Sequence, residues 1–269
     1  MKNEIAIITG AAGLLGPKHA EALAEISFDI VLIDINKTKL RRVENSLKLR
    51  FKDINIKSFV CDITNEDKLK KVSNKISKLK NKVSVLINNA ALNPKMTSLS
   101  GRNRGSMIEN YNIRALKKEI DVNLIGSFIC CKVFGPLMKK NKKGSIINIA
   151  SDLSVNAPDQ SVYSKSEKIE KVKNFKPIGY SLSKFGIIGL TKYVSTYWAH
   201  KGIRCNALAL GAVKKDQPSF LKKNIIKRVP LKRLAGENEY KKAICFLSSD
   251  DSSYMTGSTL IIDGGRSTW

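Results

Sequence analysis

The sequence predicts a doubly wound α/β fold. Two observations carry this. Short apolar, often β-branched runs alternate with longer amphipathic stretches along nearly the whole chain. The first such run also ends in a glycine-rich turn, Thr9-Gly10-Ala11-Ala12-Gly13-Leu14-Leu15-Gly16, that opens directly into a helical pattern. Ile5–Thr9, Ile30–Ile33, Ile56–Val60, Val83–Asn88, Ser145–Ile149, Arg204–Ala209 and Thr259–Ile262 read as strands. Their compact apolar character suits parallel strands covered on both faces. Leu14–Ser27, Lys37–Arg50, Glu66–Lys80, Ala115–Lys140, Gly179–Lys201 and Glu237–Ser248 read as the helices between them. No internal repeat or linker divides residues 1–269, so one domain is expected. Three long segments, 91–113, 152–178 and 212–236, follow predicted strand ends. In open α/β sheets that edge carries the ligand crevice.

Composition excludes several classes. At 269 residues and 42% hydrophobic, the chain can bury a sizeable core. No uninterrupted apolar run approaches the roughly 18 residues of a membrane span, and residues 1–16 lack a signal-peptide pattern, so a cytoplasmic protein without membrane partners is expected. The five cysteines form no Cys-x-x-Cys and read as reduced thiols. With only His19 and His200, a histidine-built metal site is not expected. The net charge of +25 invites a nucleic-acid reading, but 38 Lys stand against 10 Arg and are spread along the chain. Arginine is the residue suited to bidentate phosphate and base recognition. The charge therefore reads as a solvated lysine-biased surface, with no nucleic acid as partner.

The glycine turn allows close backbone approach to a pyrophosphate, and the helix behind it offers free N–H groups and a favourable dipole. Asp34 ends the second strand, where a carboxylate can accept hydrogen bonds from both ribose hydroxyls and repels a 2′-phosphate. NAD is thus expected in preference to NADP, although Lys37 and Lys39 weigh the other way. Asp34 also has a plainer reading as a helix N-cap. Tyr180 and Lys184 stand four residues apart in a helical pattern, one turn apart on one face. A neighbouring ammonium favours the phenolate, which lowers the tyrosine pKa and makes a proton donor and acceptor usable near neutral pH.

Together these motifs resemble the short-chain dehydrogenase/reductase family. The resemblance runs from Ile5 to Gly265 and includes Cys61-Asp62-Ile63-Thr64, Asn88-Asn89-Ala90-Ala91, Asp121-Val122-Asn123-Leu124, Ser145–Ser151, Gly202–Asn206, and Thr256-Gly257 through Asp263-Gly264-Gly265. It implies a Rossmann fold with a seven-stranded parallel sheet in the order 3-2-1-4-5-6-7 and helices on both faces. It also implies that Tyr180 is the general acid/base and that Lys184 lowers its pKa and binds the nicotinamide ribose. Ser151 would polarise the reacting oxygen, and Asn123 would hold a water linking Lys184 to solvent. Gly10, Gly13, Leu14, Leu15, Asp34, Asp62, Ile63, Asn88, Asn89, Ala90 and Val213 would line the cofactor. Ser151 could instead be a strand-end turn residue, and Asn123 a core amide. Tyr163 lacks a lysine partner, since position 167 is Glu, and is rejected as the base.

Departures from the family pattern matter. Leu14 occupies a usual glycine position beside Gly13, giving a Gly-x-x-Gly-x-x-Gly spacing typical of the family's longer, sugar-nucleotide-modifying branch. Ala91 replaces a usual glycine. Leu210-Gly211 replaces Pro-Gly, which predicts a looser nicotinamide-side turn. Ser151 and Tyr180 are 29 residues apart, so the insertion must loop out beside the site. The enlarged loop and the Gln217–Leu221 segment look like the dehydrogenases of flagellin and surface-glycan modification. That implies a sugar-derived substrate, and the cations Arg102, Arg104 and Arg114 suit an anionic one. Reduction of a 3-oxoacyl thioester or another ketone is the alternative, and a non-catalytic cofactor sensor is the remaining one. The resemblance also implies a homo-oligomer, dimer or tetramer, in which the Arg266–Trp269 tail reaches a neighbouring subunit.

Overall fold

The computed structural model describes residues 3–94, 106–164 and 175–269. Seven parallel strands form one sheet in the order β3-β2-β1-β4-β5-β6-β7. They are β1 Glu4–Thr9, β2 Asp29–Asp34, β3 Ile56–Val60, β4 Lys82–Asn88, β5 Gly144–Ser151, β6 Ile203–Leu210 and β7 Thr259–Ile262. Strand order reverses between β1 and β4, which places the ligand crevice beyond their C-terminal ends. Period-two alternation divides the core between the sheet's faces. Ala6, Ile8, Ile30 and Leu32 pack with Leu23 and Phe28 on one face; Ile5, Ile7, Val31 and Ile33 pack with Cys130 and Phe134 on the other. All eight residues of β5 are buried, which is why this strand is apolar throughout except for residues with specific partners. Each buried Ile or Leu contributes roughly 1.5–3 kcal/mol relative to exposure.

The helices are α1 Gly16–Glu25, α2 Lys37–Arg50, α3 Glu66–Ile76, α4 Ile113–Ile120, α5 Gly126–Asn141, α6 Ile178–Trp198, α7 Ser219–Lys227 and α8 Lys241–Ser248. Asn36 caps α2 by accepting from the Lys39 amide, and Asn65 caps α3 through Lys68. The N-cap role weighed for Asp34 therefore belongs to Asn36. The helix predicted over 115–140 is interrupted by a π-helical turn, Asp121–Ile125, between α4 and α5. Such a widened turn often marks a functional position. The 29 residues Ile113–Asn141 are long and apolar enough to cross a membrane, but half of the apolar stretch is buried within the fold. Ile129, Cys130, Val133, Phe134 and Met138 belong to the core, so their hydropathy is explained by the sheet they cover. α7 lies where the sequence reads as a basic loop. Lysines and Asn224 divide its apolar residues, and Ile225 gains its burial with Val162, Tyr163 and Val229 in a separate cluster.

His19 sits beneath the glycine turn, 1% exposed, with no hydrogen-bond partner for either ring nitrogen. Burial lowers its pKa from 6.5 to about 4, opposed by the nearby Asn89 amide. Between those values the unfolded chain binds a proton that the folded chain does not. Stability is therefore lost as pH falls through 6.5, and by pH 5 the loss from this group is roughly 2 kcal/mol. His19→Leu is expected to shrink the drop in urea midpoint between pH 7 and pH 5. Identical drops in the two proteins would show that His19 is not held neutral.

Candidate active site

Turn geometry at the end of β1 builds a cradle from backbone. Gly10 has φ +62°, and a Cβ there would lie 2.6 Å from the Ala90 Cα. A Cβ at Gly16 would lie 2.4 Å from the Gly10 carbonyl oxygen. Asn89 locks this arrangement by donating its side-chain amide to the Thr9 and Gly10 carbonyls at 3.1 and 2.9 Å. Thr9 Oγ1 in turn accepts from the Asn89 and Ala90 amides. α1 starts immediately behind, without a side-chain cap or an acidic residue in its first turn, so no carboxylate of that turn would oppose an anion at its leading amides. Gly13 and Leu14 are exposed, and Leu15 packs inward against the core.

Asp34 Oδ2 accepts from Ala12 N at 2.9 Å and Oδ1 from Asn36 N at 2.8 Å. Each carboxylate oxygen keeps lone-pair capacity for a hydroxyl. Asp62 Oδ1 is held by the Thr64 amide and hydroxyl, and buried Ile63 fills the space left by Gly126. The glycine cradle, the uncapped helix and the Asp34 carboxylate fit a dinucleotide. Asn88 does not join them. It is 3% exposed and donates inward to Asn148 Oδ1 at 2.8 Å.

At the same edge, β5 and α6 bring three polar side chains together. Ser151 is the last residue of β5; Tyr180 and Lys184 occupy the first two turns of α6. Lys184 is 4% exposed and donates from Nζ to the Ile149 carbonyl at 2.6 Å, with Nζ 5.8 Å from the Tyr180 ring centroid. Burial lowers its pKa to about 8, and the nearby Lys176 adds to the effect. Burial pushes the Tyr180 phenol up to about 12; a hydrogen bond with Ser151 opposes the shift and the Asp152 charge reinforces it. Burial is thus the largest influence on the Tyr180 phenol in the cofactor-free chain. The ammonium is turned to a carbonyl, and loss of water dominates both groups.

Asn123 lies in the π turn, 1% exposed. Its amide donates to the Leu92 carbonyl and Ser183 Oγ, both at 3.0 Å, and accepts from Leu92 N at 2.6 Å. Ser183 Oγ donates to the Tyr180 carbonyl at 2.9 Å. The Asn123 carbonyl accepts from Ser127 Oγ at 2.9 Å. Asn123 thus clasps the post-β4 segment and the Tyr180 turn of α6.

The sequence reading misses two further groups. Asp152 accepts from Ser151 Oγ at 2.8 Å and pairs with Arg266 Nη1 at 2.5 Å, both side chains being largely buried. The C-terminal tail therefore folds onto its own chain, and Trp269 Nε1 donates to the Arg228 carbonyl at 3.2 Å. Glu119, 2% exposed, accepts from Tyr111 Oη at 2.6 Å and lies against Gly179. An acidic residue directly after Ser151 was a visible signal for the first; its partner is 114 residues away.

The loops over the crevice interlock. Asn224 of α7 donates to the Val162 and Ser164 carbonyls at 3.1 and 2.8 Å, and Arg228 pairs with Asp159. Val213 forms a β-bridge with Ala235, while Gly211 N donates to Ile262 O at 2.9 Å. The turn expected to be loose after β6 is pinned on both sides. Tyr163 is buried in the satellite cluster, and its phenol is pushed up by burial. Arg102 and Arg104 lie outside the described residues.

A family model described as enoyl-(acyl carrier protein) reductase matches residues 10–267. The chain is 30% identical to an uncharacterized oxidoreductase, YxbG, of Bacillus subtilis, over 98% of this chain and 91% of that one. It is 28% identical to the 3-oxoacyl-[acyl-carrier-protein] reductase FabG of Thermotoga maritima, over 98% of each. Among solved structures, NAD+-bound xylitol dehydrogenase superposes with a TM-score of 0.85 at 26% identity, covering 98% of this chain and 99% of that one.

Proposed function

The chain belongs to the short-chain dehydrogenase/reductase family, and we propose that it interconverts a secondary alcohol and a ketone with NAD, on a sugar-like polyol or a phosphorylated or nucleotide-linked derivative of one. The observation that carries this reading is the meeting of Ser151, Tyr180 and Lys184 beside the glycine cradle. The family's reaction class is oxidoreduction of CH–OH groups. Asp34 supports NAD, because a carboxylate with free lone pairs receives ribose hydroxyls and repels a 2′-phosphate. A polyol draws support from the likeness to xylitol dehydrogenase. Reduction of a 3-oxoacyl thioester is the second reading, favoured by the likeness to the Thermotoga reductase.

A bound nicotinamide dinucleotide would supply the hydride-transfer chemistry. The chain's own residues handle orientation and the proton. Ser151 Oγ and Tyr180 Oη would hold the reacting oxygen between them, with Asp152 fixing the Ser151 rotamer. A phenol pushed up to about 12 is protonated at neutral pH and ready to donate to the alkoxide formed in ketone reduction. Lys184, lowered to about 8, still carries a proton at pH 7 and can resupply the phenol.

Self-association fits the surface. Leu182, Phe185 and Tyr193 form an exposed apolar stripe on α6, and a side chain at Gly189 would meet nothing within 4 Å. Burying that stripe against a second copy would remove apolar area from water.

Two outcomes test these readings. Tyr180→Phe is expected to lower kcat by about 10²–10⁴-fold on whichever of a polyol or 3-oxoacyl thioester panel the wild type turns over, with NADH affinity retained. Unchanged turnover removes Tyr180 as the acid/base, and turnover of the thioesters alone, with NADPH, selects the second reading. By light scattering, Phe185→Glu is expected to reduce the wild-type mass by at least half; a monomeric wild type would end the self-association reading.

A further inference from the structure

Lys176 stands just ahead of α6, outside every role described so far. Its ammonium lies 3.9 Å from the Tyr180 ring centroid and donates to Asn93 Oδ1 at 2.8 Å. Its backbone amide donates to Gln160 Oε1 at 2.9 Å, which anchors the residue where the segments after β4 and β5 meet. Among the described residues no carboxylate comes within ion-pairing distance of it. The two acids nearest in electrostatic effect are Asp152 and Glu119. Asp152 is committed to Arg266 and Ser151, and Glu119 to Tyr111. Burial has the larger effect on Lys176 and lowers its pKa to about 8, so the two acids do not make up for the water it has lost. At pH 7 the group is a partly desolvated cation whose three N–H donors exceed the one hydrogen bond it makes among the described residues, to Asn93.

We propose that Lys176 is a specificity-determining residue whose ammonium binds an anionic group, a carboxylate or a phosphate, carried by the substrate close to the carbon that reacts. The assignment rests on the reading of Tyr180 as the acid/base, since proximity to its ring is what places the anion beside the chemistry. A charge-assisted hydrogen bond in a partly dry cleft is stronger than one at the surface, which suits discrimination between a charged and a neutral substrate. Loss of the cation would leave a neutral polyol's contacts intact.

The test is calorimetric titration of the NADH-loaded protein with inorganic phosphate, malonate, tartrate and the neutral tetritol threitol. Wild type, Lys176→Met and Lys176→Arg are compared, and NADH affinity in all three reports an intact fold. At least one anion is expected to bind the wild type and to weaken about 10- to 100-fold in Lys176→Met, the worth of a hydrogen bond to a charged group. Lys176→Arg keeps the charge and is expected to retain most of the affinity, with threitol binding equal in all three. Equal anion binding in wild type and Lys176→Met, or no binding of any of the three anions to the wild type, overturns the proposal. Phosphate binding without malonate or tartrate assigns the anion to a phosphorylated substrate, and the reverse to a carboxylate. If Tyr180→Phe keeps turnover while Lys176→Met loses the anion, the acid/base reading falls and the anion site stands.

Discussion

The Lys184 ammonium reaches 2.6 Å to the Ile149 carbonyl, and the candidate site depends on that contact. Ile149 lies two residues before Ser151 on β5, and Tyr180 lies one turn before Lys184 on α6. One hydrogen bond therefore fixes the end of a strand against the start of a helix and sets where the serine and the phenol can meet. The contact is costly, because the buried ammonium is taken out of water there. The pKa values move in opposite directions, Lys184 to about 8 and Tyr180 to about 12, so each is held toward its neutral form. Asn123 and Glu119 bear on the same helix end from the other side, through Ser183 and Gly179.

The insertion that separates Ser151 from Tyr180 has a physical role in this arrangement. Val162 and Tyr163 pack with Ile225 and Val229, so the segment after β5 and the segment after β6 share a small core of their own. Beneath them the Asp152–Arg266 pair ties the C-terminal tail to the residue next to Ser151. Buried ion pairs seldom add much net stability, but removing one partner is strongly destabilising. The pair is better understood as fixing geometry: Asp152 orients Ser151, and Arg266 holds Asp152 in place.

The sheet was legible in the sequence because its information is local. Buried parallel strands such as β1 and β4 write themselves as short apolar runs, and the glycine turn marks the switch point. Element existence was recovered even where ends shifted, as for the last helix, which begins at Lys241 and not Glu237. α7 was not legible, since its apolar face is completed by residues about 60 positions earlier. The π turn at Asn123 was hidden for a related reason: its hydrophobic pattern continues through it, and only the Leu92 contact reveals what the amide does. Pairing Tyr180 with Lys184 picked two side chains that the fold holds near each other, yet spacing alone could not show which carbonyl the ammonium would choose. Nor does spacing show burial, the largest cause of the upward Tyr180 shift. Lys176 was invisible for want of a motif; what marks it out is the ring and the amide it meets.

The central claim is that burial, rather than Lys184, governs the proton affinity of Tyr180 in the cofactor-free protein. It is tested most directly by following the Tyr180 ring carbon bearing the hydroxyl, by NMR with labelled tyrosine, as pH rises in wild type and in Lys184→Met. The account predicts a phenol still protonated at about pH 10.5, above the ordinary tyrosine value near 10, in both proteins. A Tyr180 that titrates below the ordinary value in the wild type, and moves up when Lys184 is removed, would contradict it.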